Sequence, residues 1–412
     1  MHTRKCKKVD KYFPHEVIHL RLILSYFDAI KKFEKTFNEF VAAGEFSRED
    51  SPDFTRKGIH DSYLMIVAWL SSLMRIPFSF EKINPHFRAK VIDICKEFIT
   101  HTGTTGDMAC MCLARYYSRS DSSLTDGHIT EIIEQVSSSI DNSEYAVKRV
   151  YAVVGSLKFL CYLYKVGPKE KLRELNEQVF EVVQKVADLY EEIYDEKLKD
   201  STVQRFLSKL AGRIALTELK ARQAKWKYNR GSRILGVQRQ TIDEVPDLEP
   251  EADEEEDVEI SETVEAVLSL LINCLSDSST MVRWNAAKHL GRVTERLDAD
   301  NASILLGEIL NMLDDNNAEN SWHGGCSALA EFSRRNMITQ EHIAISITKI
   351  KEGLCYDKRR GEGSVGSNVR DAACYASWTF ARGFHPAHLK DYIEDSVKVS
   401  SKSSEAQSLA QR

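Results

Sequence analysis

A helical motif that returns three times in the second half restricts this chain more than any other feature. Val264, Val267, Leu268, Leu271, Ile272 and Leu275 recur at i, i+3, i+4 and i+7, the stripe of an amphipathic helix. A short polar turn over 277–280 follows, and a second stripe runs through Val282, Ala286, Leu290, Val293 and Leu297. The unit returns as a helix from Ile304 to Leu313, a polar turn over 314–321 and a second helix over 322–335. It returns again through Ile343, Ile347, Ile350 and Leu354, then a glycine-bearing loop, then a helix from Val369 to Arg382. Aligning the small pairs Ala286-Ala287, Gly325-Cys326 and Ala372-Ala373 gives steps of 39 residues (325 − 286) and 47 residues (372 − 325). These bracket the ~40–47-residue period of HEAT-type helical hairpins. A lone hairpin leaves one apolar face bare, and stacking covers it. The spacing therefore predicts an all-α chain, an α-solenoid of HEAT/armadillo-like repeats.

The longer third step places its extra residues in a loop over roughly 355–368, where Gly361, Gly363 and Gly366 spell G-x-G-x-x-G. A dinucleotide-binding loop of that spacing needs a buried strand before its first glycine and an acid ~20 residues beyond. Residues 355–360 are charged and unlike a buried strand, and Phe384-His385-Pro386 stands where the acid belongs. A kinase-type loop would place Val at 368, which is Asn368. The glycines are read as a corner between two helices.

The first half carries less regular stripes over 20–40, 63–74, 91–99 and 151–164, and another through Val203, Leu207, Leu210 and Ile214. Gly212-Arg213-Ile214 is echoed by Gly291-Arg292-Val293, 79 residues later (291 − 212), about two repeat periods. With 8 Pro and 19 Gly in 412 residues, little interrupts the helices. The expected organisation is a helical-repeat segment over 1–240, an acidic linker over 241–260, three hairpins over 261–395 and a loose tail over 396–412. The linker holds eleven acids and no base, and both it and the tail read as disordered. A sharper reading of the acidic run is an electrostatic guard or docking strip for a basic surface.

The formal net charge of −6 argues against nucleic acid as the main partner. Nine cysteines with no C-x-x-C pair indicate neither a zinc knuckle nor a disulfide framework, and fit a reducing compartment. The longest uncharged apolar run, Ser62–Met74, is shorter than the ~20 residues of a spanning helix, and no apolar run follows the basic start. A soluble intracellular protein without membrane insertion is expected.

Three sets of residues invite chemistry. His15-Glu16-Val17-Ile18-His19 is H-E-x-x-H, in which two histidines on one helix face hold zinc, Glu16 acts as base and Glu39 offers a third ligand. Against a zinc hydrolase, Pro14 puts His15 in the first turn, where an end effect suffices, and no substrate cleft follows. The stretch 203–240 carries ten Lys or Arg against one acid, Glu218, and interleaves Trp226 and Tyr228 with Lys225, Lys227 and Arg230. Nucleic-acid binders use such a pattern, but the acidic total favours a solvated face or an acidic protein partner. The third set, Arg283, Trp322, His323, Arg334, Arg335, Arg370 and Trp378, lies on or beside the second helices. Arg and Trp are enriched in interface hot spots. Arg283 and Arg370 equally suit bridges between repeats, Trp322-His323 suits packing as well as binding, and Trp378 is read as core. Lys358, Arg359 and Arg360 form a basic triplet suited to steering an acidic partner. No catalytic residue, metal or cofactor is expected.

Several ordered stretches resemble the tubulin-folding cofactor D family: Asp277–Arg292 (DSSTMVRWNAAKHLGR), Ser321–Glu331 (SWHGGCSALAE) and Gly363–Tyr375 (GSVGSNVRDAACY). Phe13–Val17 (FPHEV), Trp69–Phe78 (WLSSLMRIPF) and Trp226–Gly231 (WKYNRG), with the acidic run after them, fall in the family's order over roughly residues 8–395. Family members are longer, with further helices at the start and much beyond the third hairpin. The resemblance implies a chaperone that receives β-tubulin after the cytosolic chaperonin and assembles the αβ heterodimer with cofactors E and C. It also implies stimulation of tubulin's GTP hydrolysis within that complex, an Arf-like small GTPase as a further partner, and a cytoplasmic, microtubule- and centrosome-associated location. The family's FPHEV motif requires no second histidine, so His19 completes H-E-x-x-H by accident. The alternatives are a generic HEAT adaptor of transport or phosphatase assemblies and, behind it, the zinc hydrolase.

Overall fold

The computed structural model describes residues 12–43, 52–83, 86–101, 103–119, 121, 129–134, 146–192, 201–221, 260–361, 363–384 and 389. The acidic run up to Glu259, the tail from 396, and Trp226 and Arg230 lie outside the described residues. The chain forms two compact units, Met1–Thr217 and Glu218–Arg412.

In the first unit, α1 (His19–Ala43), α2 (Pro52–Leu73), the short α3 (Phe80–Ile83), α4 (Phe87–Ile99), α5 (Thr104–Tyr117) and α6 (Ala146–Val166) follow one another. After them come α7 (Lys169–Arg173), α8 (Asn176–Glu192) and α9 (Ser201–Glu218). The contacts make α2, α5 and α6 a row, with α1 against α2 and α4 against α5 and α6. Phe27, Tyr63 and Phe98 lock α1, α2 and α4 together, with ring centroids 5.0–6.3 Å apart. Such aromatic contacts add to the burial of their area.

The second unit meets the all-α repeat expectation. Its hairpins are α10 (Glu262–Cys274) with α11 (Thr280–Thr294), α12 (Ala299–Asn311) with α13 (Glu319–Ser333), and α14 (Gln340–Leu354) with α15 (Ser367–Gly383). Ser261 caps α10 by accepting from the Val264 N–H, and Asp298 caps α12 by accepting from the Asn301 N–H. The second helices α11, α13 and α15 lie side by side. The predicted apolar stripes are the buried ones, with Val267, Leu271, Val282, Leu290, Val293 and Leu306 among the least exposed residues.

A glycine device recurs in both units. A Cβ on Gly324 of α13 would stand 1.9 Å from the Leu275 carbonyl oxygen that ends α10, and one on Gly155 of α6 would stand 2.4 Å from that of Ile99 at the end of α4. Only the missing side chain lets the second helix press so closely on the end of a first helix.

Two expectations need correction. The glycine loop is not featureless: β1 (Lys358–Arg360) and β2 (Gly363–Val365) form an antiparallel hairpin, with Lys358 paired to Val365 and Arg360 to Gly363. A strand does stand before Gly361, but as one arm of a two-stranded hairpin rather than a buried parallel strand, so the loop remains a corner between α14 and α15. Gly361 takes φ +65° and Gly366 φ +143°, a region that L side chains rarely adopt. The other correction concerns H-E-x-x-H. Helix α1 begins only at His19, so His15 and His19 do not share a helical face; the His19 Nδ1 instead accepts from the Glu16 N–H at 3.1 Å. Among the described residues no helix is long and apolar enough to cross a membrane.

Candidate interaction surface

The starts of α11 and α15 are each held by an arginine that reaches back to carbonyls of the preceding turn. Arg283 of α11, only 2% exposed, donates from Nη1 to the carbonyls of Asp277 (2.6 Å) and Ser278 (2.9 Å) and to Asn320 Oδ1 (2.8 Å). Its Nε donates to His323 Nδ1 of α13 at 3.0 Å. Arg370 of α15 does the same on a smaller scale, donating to the Tyr356 carbonyl at 2.6 Å. Arg283 thus bridges to the next repeat, whereas Arg370 stays within its own hairpin. In the first unit Arg119, just past the end of α5, likewise donates to turn carbonyls, those of Met74, Ile76 and Phe78. That bond to charge is stronger than a neutral one, and it gives carbonyls of the turn a donor.

His323 must be neutral to accept from Arg283. Burial first, and the neighbouring Arg283 second, pull its pKa down to about 4, with Asp371 opposing them.

At the other end of the row the helices are tied through one buried carboxylate. Glu331 of α13 accepts from Arg335 Nη1 (2.5 Å), Arg334 Nη1 (3.1 Å) and the Tyr375 hydroxyl of α15 (2.9 Å). Arg335 also reaches Glu295, just past α11, at 3.3 Å. Burial opposes the Glu331 charge, but Arg335 foremost, then Tyr375 and Arg334, hold its pKa below the ordinary carboxylate value. A polar chain therefore crosses α11, α13 and α15.

Trp322, left open between packing and binding, is packed, and Trp378 departs from the place expected for it. Trp322 is 1% exposed, donates from Nε1 to the Asp314 carbonyl at 2.8 Å and packs on Tyr356 at 5.3 Å, so it is core rather than surface. Trp378 of α15, expected in the core, is 51% exposed, with Arg382 5.0 Å from its ring and Tyr375 stacked behind it. Trp284 of α11, which sequence reasoning passed over, is 43% exposed with Lys288 4.9 Å from its ring. Its signal was available: Met281, Trp284 and Lys288 recur at i, i+3 and i+7, one stripe away from the buried one.

Two family models match the chain, "Tubulin-specific chaperone D-like, ARM repeat" over residues 1–124 and "Tubulin-specific chaperone D-like, ARM repeats" over 202–399. The chain belongs to the tubulin-specific chaperone D-like family. It is similar to the Tubulin-specific chaperone D of Dictyostelium discoideum, 35% identical over 124 residues, which is 29% of this chain and 8% of that protein. It is also similar to the Tubulin-folding cofactor D of Schizosaccharomyces pombe, 23% identical over 339 residues, 78% of this chain and 28% of that protein. The chain thus spans less than a third of the length of either relative.

Among the described residues, stretches that resemble the chaperone D-like family carry contacts that close the repeats. Phe13 stacks on Trp69 at 6.4 Å and the Trp69 Nε1 donates to the Pro14 carbonyl at 2.6 Å, which joins FPHEV to WLSSLMRIPF. Arg283, Trp322 and Gly324 do the same for the second unit. The remaining partner candidates stand further out. Arg334 is half exposed, Lys358 donates to the Asp315 carbonyl at 2.7 Å, and Arg359 is exposed on β1 beside Arg360.

Proposed function

We propose that the chain works by binding, as a tubulin-folding cofactor whose client is β-tubulin released from the chaperonin. In this reading it assembles the αβ heterodimer with cofactors E and C and stimulates GTP hydrolysis by tubulin within that complex. An Arf-like small GTPase is the further partner, and the site of action is cytoplasmic, at microtubules and centrosomes. The observation that carries the reading is the match of the two chaperone D-like repeat models to both parts of the chain. The repeat row supports it physically, because helices locked by buried polar ties present an extended rigid surface to a folded client. Among the residues selected from sequence, His323, Arg334, Arg370, Lys358 and Arg359 are the client-facing candidates; Arg283, Arg335 and Trp322 act through the shape they hold.

The test is capture. Tagged chain mixed with β-tubulin freshly released from chaperonin should co-elute with it, and adding cofactors E and C with α-tubulin should raise GTP turnover. Retention of transport or phosphatase subunits from lysate, with no tubulin, would replace the reading by the generic adaptor.

A further inference from the structure

We infer that the outward side of the α11–α13–α15 row is a docking trough for an acidic polypeptide segment that carries an aromatic or aliphatic side chain. The inference deepens the client reading and rests on it only for the identity of the protein that brings the segment.

The shape comes from a recessed centre between raised walls. On α13, Ser327 and Glu331 are buried, whereas Trp284 on one side and Trp378 on the other are close to half exposed. Exposed tryptophans on a surface otherwise locked by hydrogen bonds are the anchors that interfaces use most. Each has a cation over its ring, Lys288 for Trp284 and Arg382 for Trp378. A carboxylate beside an apolar side chain satisfies both members of such a pair at once, the acid on the cation and the apolar group on the indole.

The charge singles out the occupant. The whole chain is net negative at −6, yet α11 carries Lys288 and Arg292, beside the buried Arg283, with no acid. On α15, Arg370 and Arg382 stand against Asp371 alone. The carboxylates of Glu295 and Glu331 are already engaged by Arg335, so they offer little to a basic ligand. Within α13 Glu319 is the remaining acid, with Asp314 and Asp315 in the turn before it. A positive trough on a negative molecule selects an acidic segment and repels a basic one. Nucleic acid, which also stacks on indoles, would meet Asp371 and Glu319 across the trough's upper end.

The experiment uses the full chain and a fluorescent Glu-rich peptide with one central Phe, read by anisotropy at low and physiological salt. The expected result is binding that weakens with salt and is lost by about tenfold or more when the peptide's Glu residues become Gln. Trp378→Ala and Arg382→Gln should each weaken it by a similar factor while the circular-dichroism melt stays in place. Equal affinity for the Glu and Gln peptides, or unchanged affinity in both variants, overturns the inference. So does preference for a single-stranded oligonucleotide, which would make the trough a nucleic-acid site. Binding seen only after the acids of 243–259 are changed to their amides would also overturn it, by making the chain's own acidic run the occupant. A parallel β-tubulin capture separates the two readings. Tubulin retained without peptide discrimination sinks this inference alone, and peptide discrimination without tubulin sinks the client reading alone.

Discussion

Replacing Trp322 by Ala removes a buried indole and its hydrogen bond to the Asp314 carbonyl, so the variant should lose about 3–5 kcal/mol and melt well below the parent. Trp378→Ala should stay within about 0.5 kcal/mol, as surface changes do; thermal denaturation of the pair distinguishes the two environments directly. His323 adds a pH dependence. Its folded pKa of about 4 lies below the unfolded value near 6.5. Between those values the unfolded chain binds the extra proton, so the stability this neutral histidine contributes is full above pH 6.5 and drains away as pH falls toward 4. Partial exposure reduces the effect, and on the order of 1 kcal/mol should be lost by pH 5. Melting curves at pH 7.5 and 5 should converge in His323→Gln, which cannot titrate; an equal drop in both chains would place the dependence elsewhere. Sequence reasoning found the informative residues, left Trp322 between packing and binding, and put Trp378 in the core although it is exposed. Trp322, expected at the head of a helix beside the turn, lies inside α13, which starts three positions earlier at Glu319. For Trp378 the polar stripe of Asp371, Cys374 and Arg382 held the correct phase.

The hairpins were legible because apolar periodicity runs over ten residues or more in each helix, long enough to outweigh local noise. Strands of three residues fall below that window, so β1 and β2 had no periodic signal, and the charge of 358–360 spoke for a loop. H-E-x-x-H misled for a related reason: a motif fixes spacing, whereas the helix that would align its histidines starts only at the last of them. The glycine device was half visible. Gly325 was noticed as one of a small pair, but its neighbour Gly324 makes the closer approach, and the distance to a carbonyl of another helix cannot be read from one element. A contrast between glycines tests this packing. Gly324→Ala would drive a methyl into the Leu275 carbonyl and should cost about 2 kcal/mol or more. Gly307→Ala in α12 meets nothing within 4 Å and should instead raise stability by roughly 0.4–1 kcal/mol. Chemical denaturation midpoints of the two variants should move in opposite directions.

On the scale of the whole molecule, the repeat architecture was readable from period and small-residue spacing, while the surfaces were not, because they depend on which faces remain uncovered after stacking. Helix α1 shows this most plainly. Its inward face buries Leu20, Ile23, Leu24, Phe27 and Phe37, yet Leu22, Tyr26, Phe33 and Phe40 point outward, with Ile18 ahead of them. An open groove of about 460 Å³ between α1 and α2, lined by Phe13, Tyr26, Met65 and Trp69 among others, widens the same apolar tract. Exposed apolar side chains gathered along one helix favour association. Sedimentation of the purified chain should show mass rising with concentration, and Phe33→Glu with Phe40→Glu should hold it to a single species without lowering its melting temperature. Association of that kind would give the chain an operating ceiling: above some abundance, copies would adhere to one another faster than they could meet anything else. A cell that makes more of it would gain no proportionate activity, and dosage rather than affinity would become the quantity to regulate.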